Sequence, residues 1–358
     1  MNYKITLGAL VCLIVFFTQC TKDDLVPKDL TPYLLEYGDF PAPNLPTDNP
    51  LTVEGVALGR KLFYETKLSA DGTQACAACH KQTNAFTDTD RFSIGVEGLP
   101  GKRQSMAVFN MAWHTNEFFW DGRAHLLRDQ SLLPIQDPLE LNETLPNVIT
   151  KLQQDQYYRD QFKLVFGTDE ITPERLSLVL EQFMLTIVSN QSKYDKFLAG
   201  EMQLTPSEMN GKDLFFAEYN QFFPNESGAD CAHCHSSFNF ENDLYMNNGL
   251  NTDADFVDLG RYDATNLNSD KAKFKVPSLR NIELTPPYMH DGRFNTLEEV
   301  VAHYNSGIET SSTADPTVLN TQATGLMLTA QDKADLVNFL KTLTDYNLIN
   351  NPAYSDPN

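Results

Sequence analysis

The stretch GRKLFYETKLSADGTQACAACH, Gly59 to His80, returns later in the chain as GKDLFFAEYNQFFPNESGADCAHCH, Gly211 to His235. Both copies open on a glycine, a basic residue and a Leu-Phe pair, and both close on C-x-x-C-H. That ending is the attachment pattern of a c-type haem. On one turn of helix, two thiols three residues apart reach the two vinyl groups, and the adjacent histidine turns to the iron. A single match could be accidental, whereas two at matching places of a repeat carry weight. A zinc site would have to gather two cysteine pairs from distant parts of the chain, far beyond ribbon spacing. A thioredoxin-type redox pair has no use for the histidines. Cys76, Cys79, Cys231 and Cys234 therefore read as covalent haem anchors, and His80 and His235 as proximal iron ligands. A second repeat supports tandem domains: FWDGRAHLLRDQ (Phe119–Gln130) returns as MHDGRFNTLEEV (Met289–Val300).

Around these motifs the composition is ordinary for a globular protein, with 41% apolar and 21% charged residues over 358 positions. The 27 basic and 48 acidic residues leave a net charge of −21, which argues against binding nucleic acid or an anionic membrane surface and suits equally a small basic protein partner or a solvated acidic surface that keeps a secreted protein soluble. Residues 1–20 read as a leader: Lys4 precedes the apolar run Ile5–Phe17, too short to span a bilayer comfortably. Its end, FFTQC, places Cys20 as a lipidation site, and the following TKDD resembles a signal that sends some lipoproteins to the outer surface. The expected location is thus exported, periplasmic or anchored at the outer membrane. Six prolines from Pro27 to Pro50 make residues 21–50 read as an extended tether.

Helical signals dominate the rest, and the fold is expected to be all-α. Thr172-Pro173 starts a helix running to about Ser189. Thr205 with Pro206 and Glu208 makes a capping box, and Thr329 with Asp332 starts a helix carrying Leu336, Val337, Leu340 and Leu343 on one face. The domain boundary falls near Leu198–Leu204, giving haem domains over 51–200 and 201–348 and a tail over 349–358.

The repeat lets the two halves be read in register. Setting WDGR (Trp120–Arg123) on HDGR (His290–Arg293) places Trp120 opposite His290, and Pro134 opposite Tyr304. Proline cannot ligate iron, while tyrosine can. In the helix opened by the Thr296–Glu299 capping box, Leu297, Val300, Val301 and Tyr304 recur at i, i+3, i+4 and i+7, so Tyr304 lies on the buried stripe. His303 sits about 100° away and reads as a partly exposed surface histidine. Pattern alone leaves Tyr304 evenly divided between an iron ligand and a core tyrosine with a satisfied hydroxyl.

Over about Leu51 to Leu348 the chain resembles the bacterial di-haem cytochrome c peroxidase family, which includes the MauG-type enzymes. The resemblance rests on both C-x-x-C-H sites, on FFWDGRAHLLRDQSLLPIQDPLE (Phe118–Glu140) and on KFKVPSLRNIELTPPYMHDGRFNTLEEVVAHYNSG (Lys273–Gly307). It implies two cytochrome c-like domains, a peroxidatic haem in the first and an electron-transfer haem in the second. The position of Tyr304 is usually methionine in the peroxidases proper and tyrosine in MauG, so Tyr304 is implied as the second haem's sixth ligand. No histidine occurs from Lys81 to Trp113, where many members carry a distal one, so the first haem is expected to be open. His290 is expected to be structural or to touch a haem edge.

Further roles follow from the same resemblance. Trp120 matches the tryptophan between the haems, Gln130 and Glu140 match polar residues of the peroxide pocket, and Pro134 the proline beside it. Glu140 is the candidate to move a proton between the peroxide oxygens, with Gln130 orienting peroxide or water; on its own, a glutamate after Pro138 would read as a surface residue. A calcium ion between the domains is implied through carbonyls of Thr285 and Pro287, with Gln104 where an asparagine is usual. The function expected is reduction of hydrogen peroxide to water, with electrons from a small cytochrome or cupredoxin. Tyr304 raises a second possibility, because an anionic oxygen ligand lowers the reduction potential: a MauG-like oxidant of a protein or other organic substrate. A plain di-haem electron carrier is the third reading, and a homodimer is the family habit.

Overall fold

The computed structural model describes residues 30–358; the expected leader, Cys20 and the first part of the proline-rich segment lie outside them. In chain order the helices are α1 (Val53–Phe63), α2 (Cys76–Cys79), α3 (Leu127–Gln136), α4 (Leu145–Gln154), α5 (Gln156–Phe166), α6 (Pro173–Thr186), α7 (Lys193–Leu198), α8 (Pro206–Phe216), α9 (Tyr262–Thr265), α10 (Leu297–Ser306), α11 (Pro316–Asn320), α12 (Ala330–Lys341) and α13 (Tyr346–Asn350). The regular strands among the described residues are β1 (Tyr245–Met246) and β2 (Phe274–Lys275), one antiparallel pair with Met246 opposite Phe274. The fold is all-α in character, built as two cytochrome c-like halves.

Each half is organised by a helix crossing that only glycine permits. A Cβ on Gly59 of α1 would stand 1.8 Å from the carbonyl oxygen of Val179 on α6, and one on Gly211 of α8 would stand 1.9 Å from that of Asp335 on α12. The repeated glycine thus brings two backbones together at the same place in each half. Next to the first crossing, Phe63 and Phe183 are wholly buried with ring centres 5.4 Å apart; at the second, Phe215 and Phe339 are 5.3 Å apart. Burying each such ring stabilises by roughly 1.5–3 kcal/mol.

Capping boxes form at Thr205–Glu208, Thr296–Glu299 and Thr329–Asp332. The helix begun at Pro173 stops at Thr186, short of Ser189. An asparagine competes for its end: Asn110 donates its backbone N–H to Ile187 O at 2.8 Å, and its side-chain Oδ1 accepts from Ser189 N at 2.8 Å. The second half repeats the device, with Asn281 N on Leu343 O at 3.0 Å and Asp345 N on Asn281 Oδ1 at 2.8 Å. Both asparagines hold left-handed backbone, φ 55° and 58°, which asparagine tolerates better than most residues.

The described part of the proline-rich segment, residues 30–50, does not hang free as a tether. Its aromatic residues supply burial that a spacer lacks. Tyr33 N donates to Leu51 O at 3.0 Å, Trp113 Nε1 donates to Pro41 O at 2.7 Å, and Asn49 is 4% exposed. The Phe40 ring lies 5.4 Å from Trp113 of the first half and 4.7 Å from Phe238 of the second, so this strap touches both. The residues after 348 also pack back: Leu348 and Tyr354 are buried in the first core, and Arg60 Nε holds Ser355 O at 2.7 Å.

The halves meet along a seam written in main chain. Gln104 N donates to His290 O, and Lys275 N donates to Trp120 O, both at 2.8 Å. Trp120 and His290 are partners in the repeat, so the two bonds are reciprocal.

Candidate haem centres and the seam between them

In the first half, α2 is the expected single helical turn carrying Cys76 and Cys79. In the second, Cys231–His233 is a tighter 3₁₀ turn entered through Asp230 at φ 51°. All four thiols are unpaired. His80 Nδ1 lies 3.1 Å from Phe86 O, and His235 Nδ1 lies 3.2 Å from Phe240 O and 3.1 Å from Pro277 O. A carbonyl can only accept, so each Nδ1 carries the hydrogen and each Nε2 keeps its lone pair for a metal. Burial pushes His235 down to about 4 and lowers His80 as well, which keeps both imidazoles neutral.

Cys231, Cys234, His235 and Tyr304 line one cavity of about 270 Å³, walled largely by apolar side chains including Val300, Leu336 and Leu340. The thiol pair, the oriented imidazole and the dry walls suit a covalent haem. Tyr304 is surrounded by protein, and the surface it keeps faces this cavity; burial raises its hydroxyl pKa. Asn248 Nδ2 reaches both the Tyr304 hydroxyl at 3.2 Å and Met289 Sδ at 3.3 Å. Asn248 and Met289 had no role in the sequence reading, because nothing in their local pattern ties them to a residue so far along the chain.

His303 does not lie on the surface as expected. It is 7% exposed, with Nε2 3.1 Å from Asn248 O, because the loop through Asn247–Gly249 covers that side of α10. Its nitrogen is taken by a carbonyl, and it does not border the cavity. His290 stacks on Phe274 with ring centres 3.6 Å apart and planes 8° from parallel.

On the first side, α3 presents Gln130 and Pro134 one turn apart, on one face. The chain then doubles back, with Leu141 N on Pro134 O at 3.2 Å, and this returns Glu140 toward the same face. Charge on Glu140 raises the pKa of both Cys76 and Cys79, which places its carboxyl close to the attachment turn. Burial pushes Glu140 up to about 7; Asp137 adds to the shift and Arg123 opposes it.

Trp120 is 8% exposed and borders the cavity of the second half. Its Nε1 donates to Gln104 O at 2.8 Å. One residue on, Ser105 Oγ donates to Cys79 O at 3.1 Å, so a short run of chain joins Trp120 to the first attachment turn. Gln104, Thr285 and Pro287 line the same cavity near the seam, and Gln104 Nε2 donates to Thr87 Oγ1 at 3.0 Å.

Two haem-attachment turns, one in each of two related helical halves, define a di-haem c-type cytochrome. More particularly, the chain belongs to the di-haem cytochrome c peroxidase family, and with it to the peroxidase-type oxidoreductases. Residues 53–203 match the family model described as di-haem cytochrome c peroxidase. Methylamine utilization protein MauG of Methylophilus methylotrophus is 34% identical over 302 residues, covering 83% of this chain and 84% of the relative. Cytochrome c551 peroxidase of Nitrosomonas europaea is 35% identical over 258 residues, covering 70% and 73%. Among solved structures, a MauG-like protein associated with microbial copper homeostasis superimposes with a TM-score of 0.77 at 36% identity, covering 89% of this chain and 97% of that one. Family membership implies two c-type haems and sets aside the plain electron carrier. No helix among the described residues is long and apolar enough to cross a membrane.

Proposed function

We propose that the protein reduces hydrogen peroxide to water at the first haem, taking two electrons and two protons per peroxide, with the electrons entering through the second half. The observation that carries this is Glu140: a buried carboxyl with a pKa of about 7 beside the first attachment turn, matched to taking up and returning a proton near neutrality. The haems supply peroxide binding and storage of oxidising equivalents. Glu140 moves a proton between the two peroxide oxygens, while Gln130 orients peroxide or water. Pro134 would offer no ligand atom to the first haem. Tyr304 would hold the second haem through its hydroxyl oxygen, and Trp120 would relay charge across the seam. A calcium ion held by Gln104 and the carbonyls of Thr285 and Pro287 would steady that seam, since all three offer hard oxygen atoms.

The donor is a small cytochrome or cupredoxin. The net charge of −21 favours a basic one, and Phe222 and Phe223, 78% and 60% exposed just before the second attachment turn, offer apolar contact. The protein is placed outside the cytoplasm, held by lipid on Cys20. Turnover of peroxide with a reduced basic cytochrome tests the reading; no donor oxidation above the rate of a Glu140→Gln variant would reject it.

Tyr304 favours a second reading, in which peroxide drives oxidation of a protein or other organic substrate. An anionic ligand lowers the potential of the haem that must accept the donor's electrons, and the similar proteins above include two named MauG or MauG-like. Oxidised product from an added protein, with no oxidation of any donor, would select it.

A further inference from the structure

Beside the seam, a second group of metal-capable side chains borders the cavity of the second haem without including any of its expected ligands. His114, from the first half, meets Glu241 and Asp243, from the second, and one potential ligand atom of each lies within 4.8 Å of the others. His114 lies far from Glu241 and Asp243 in the chain, so the three form no motif.

Each side chain is tied at one end and free at the other. His114 Nε2 lies 3.2 Å from Glu117 O, so this nitrogen carries the ring's hydrogen and donates it. Thr115 holds Asp243 Oδ2 through its hydroxyl at 2.6 Å and its amide at 3.2 Å. Asn239 Nδ2 donates to Glu241 Oε1. The remaining atoms, His114 Nδ1 and Asp243 Oδ1, are buried and have no hydrogen-bond partner, although they stand only 3.2 Å apart. The His114 side chain is 5% exposed.

A lone pair facing a carboxylate oxygen is unfavourable unless something positive lies between them. A metal cation between Nδ1 and Oδ1 satisfies both atoms without a second proton on the ring, which burial and Lys275 oppose and Asp243 favours. No lysine or arginine pairs with either carboxylate among the described residues: Arg280 is committed to Asp195 at 2.9 Å, and Lys275 is felt only at longer range. Lys275 and Arg280 thus act on the two carboxylates from a distance, without an ion pair to either.

The geometry points to an additional metal site, in which His114 Nδ1 and the carboxylates of Asp243 and Glu241 bind one divalent first-row transition ion. One imidazole and two carboxylates suit zinc, iron(II) or manganese(II); calcium and magnesium prefer oxygen alone, and copper(I) prefers sulfur. Glu117 O, Thr115 and Asn239 are the outer partners that orient the ligands, as metal sites require. The ion would join the two halves next to the cavity of the second haem, which His114 and Glu241 also border.

The test uses the haem-loaded protein, stripped with chelator and returned to excess calcium, with zinc as the probe. Metal analysis should find one zinc per two haem irons. Calorimetric titration should show binding weakened roughly 10–100-fold or more in Asp243→Asn and His114→Gln, and about 10-fold in the gentler Thr115→Val, with haem content unchanged. No zinc uptake by the haem-loaded protein would overturn the proposal, since the cluster is then satisfied by something else, a haem propionate included. Equal uptake by the Thr115→Val and Glu241→Gln proteins would overturn it too, because zinc would be bound elsewhere.

Discussion

Glu140 illustrates how one residue's surroundings set its chemistry. Left in water it would be ionised throughout the physiological range, but burial lifts it to about 7, where both protonation states are populated. The ionised form is the base, so the peroxide rate constant should fall about tenfold per pH unit below 7 and level off above it. Stopped-flow mixing of Glu140→Gln with peroxide should give a rate roughly 10²–10⁴-fold lower that no longer varies across this range; an unchanged profile would remove Glu140 from the reaction. For Tyr304, the ferric electron paramagnetic resonance spectra of Tyr304→Phe and Tyr304→Met decide. Both should lose or shift the wild-type low-spin signal, and its survival in both would show that another group fills that position. At this scale, the C-x-x-C-H motifs are local, so the cysteines and histidines they contain can be picked out from the chain itself. His303 was misread because helical phase cannot know that the Asn248 loop covers its side of α10. His114 could not be paired with Glu241 and Asp243 at all, since only the fold makes them neighbours.

Among the elements, the two glycine crossings carry the most consequence. At 1.8 and 1.9 Å, a new Cβ would collide with backbone oxygen, and backbone cannot yield as a side-chain end can. Gly59→Ala and Gly211→Ala should each destabilise by about 3 kcal/mol or more in denaturant unfolding, by forcing α1 from α6 or α8 from α12. A loss under 1 kcal/mol would mean the crossings adjust more freely than close packing allows. Helix starts were legible, because a capping box is written within four residues. Helix ends were less so: α6 is stopped by Asn110, which lies far upstream and competes for Ile187 and Ser189.

Across the whole molecule, charge and the N-terminal strap act together. Attraction between a net charge of −21 and a basic donor should speed encounter, so donor oxidation should slow as salt rises, whereas a neutral donor should show little change. The strap is expected to hold the halves in place through Phe40, and Phe40→Ala should cost roughly 2 kcal/mol of stability, read as a lower melting temperature of the haem-loaded protein. Proline count suggested a spacer, but Tyr33, Tyr37 and Phe40 between the prolines find apolar partners that composition does not reveal. The reciprocal bonds from Gln104 to His290 and from Lys275 to Trp120 have a historical reading as well. A joint made of peptide groups is indifferent to which side chains it carries. After an ancestral duplication, either copy could trade its side chains for a new task while the spacing between the copies stayed fixed.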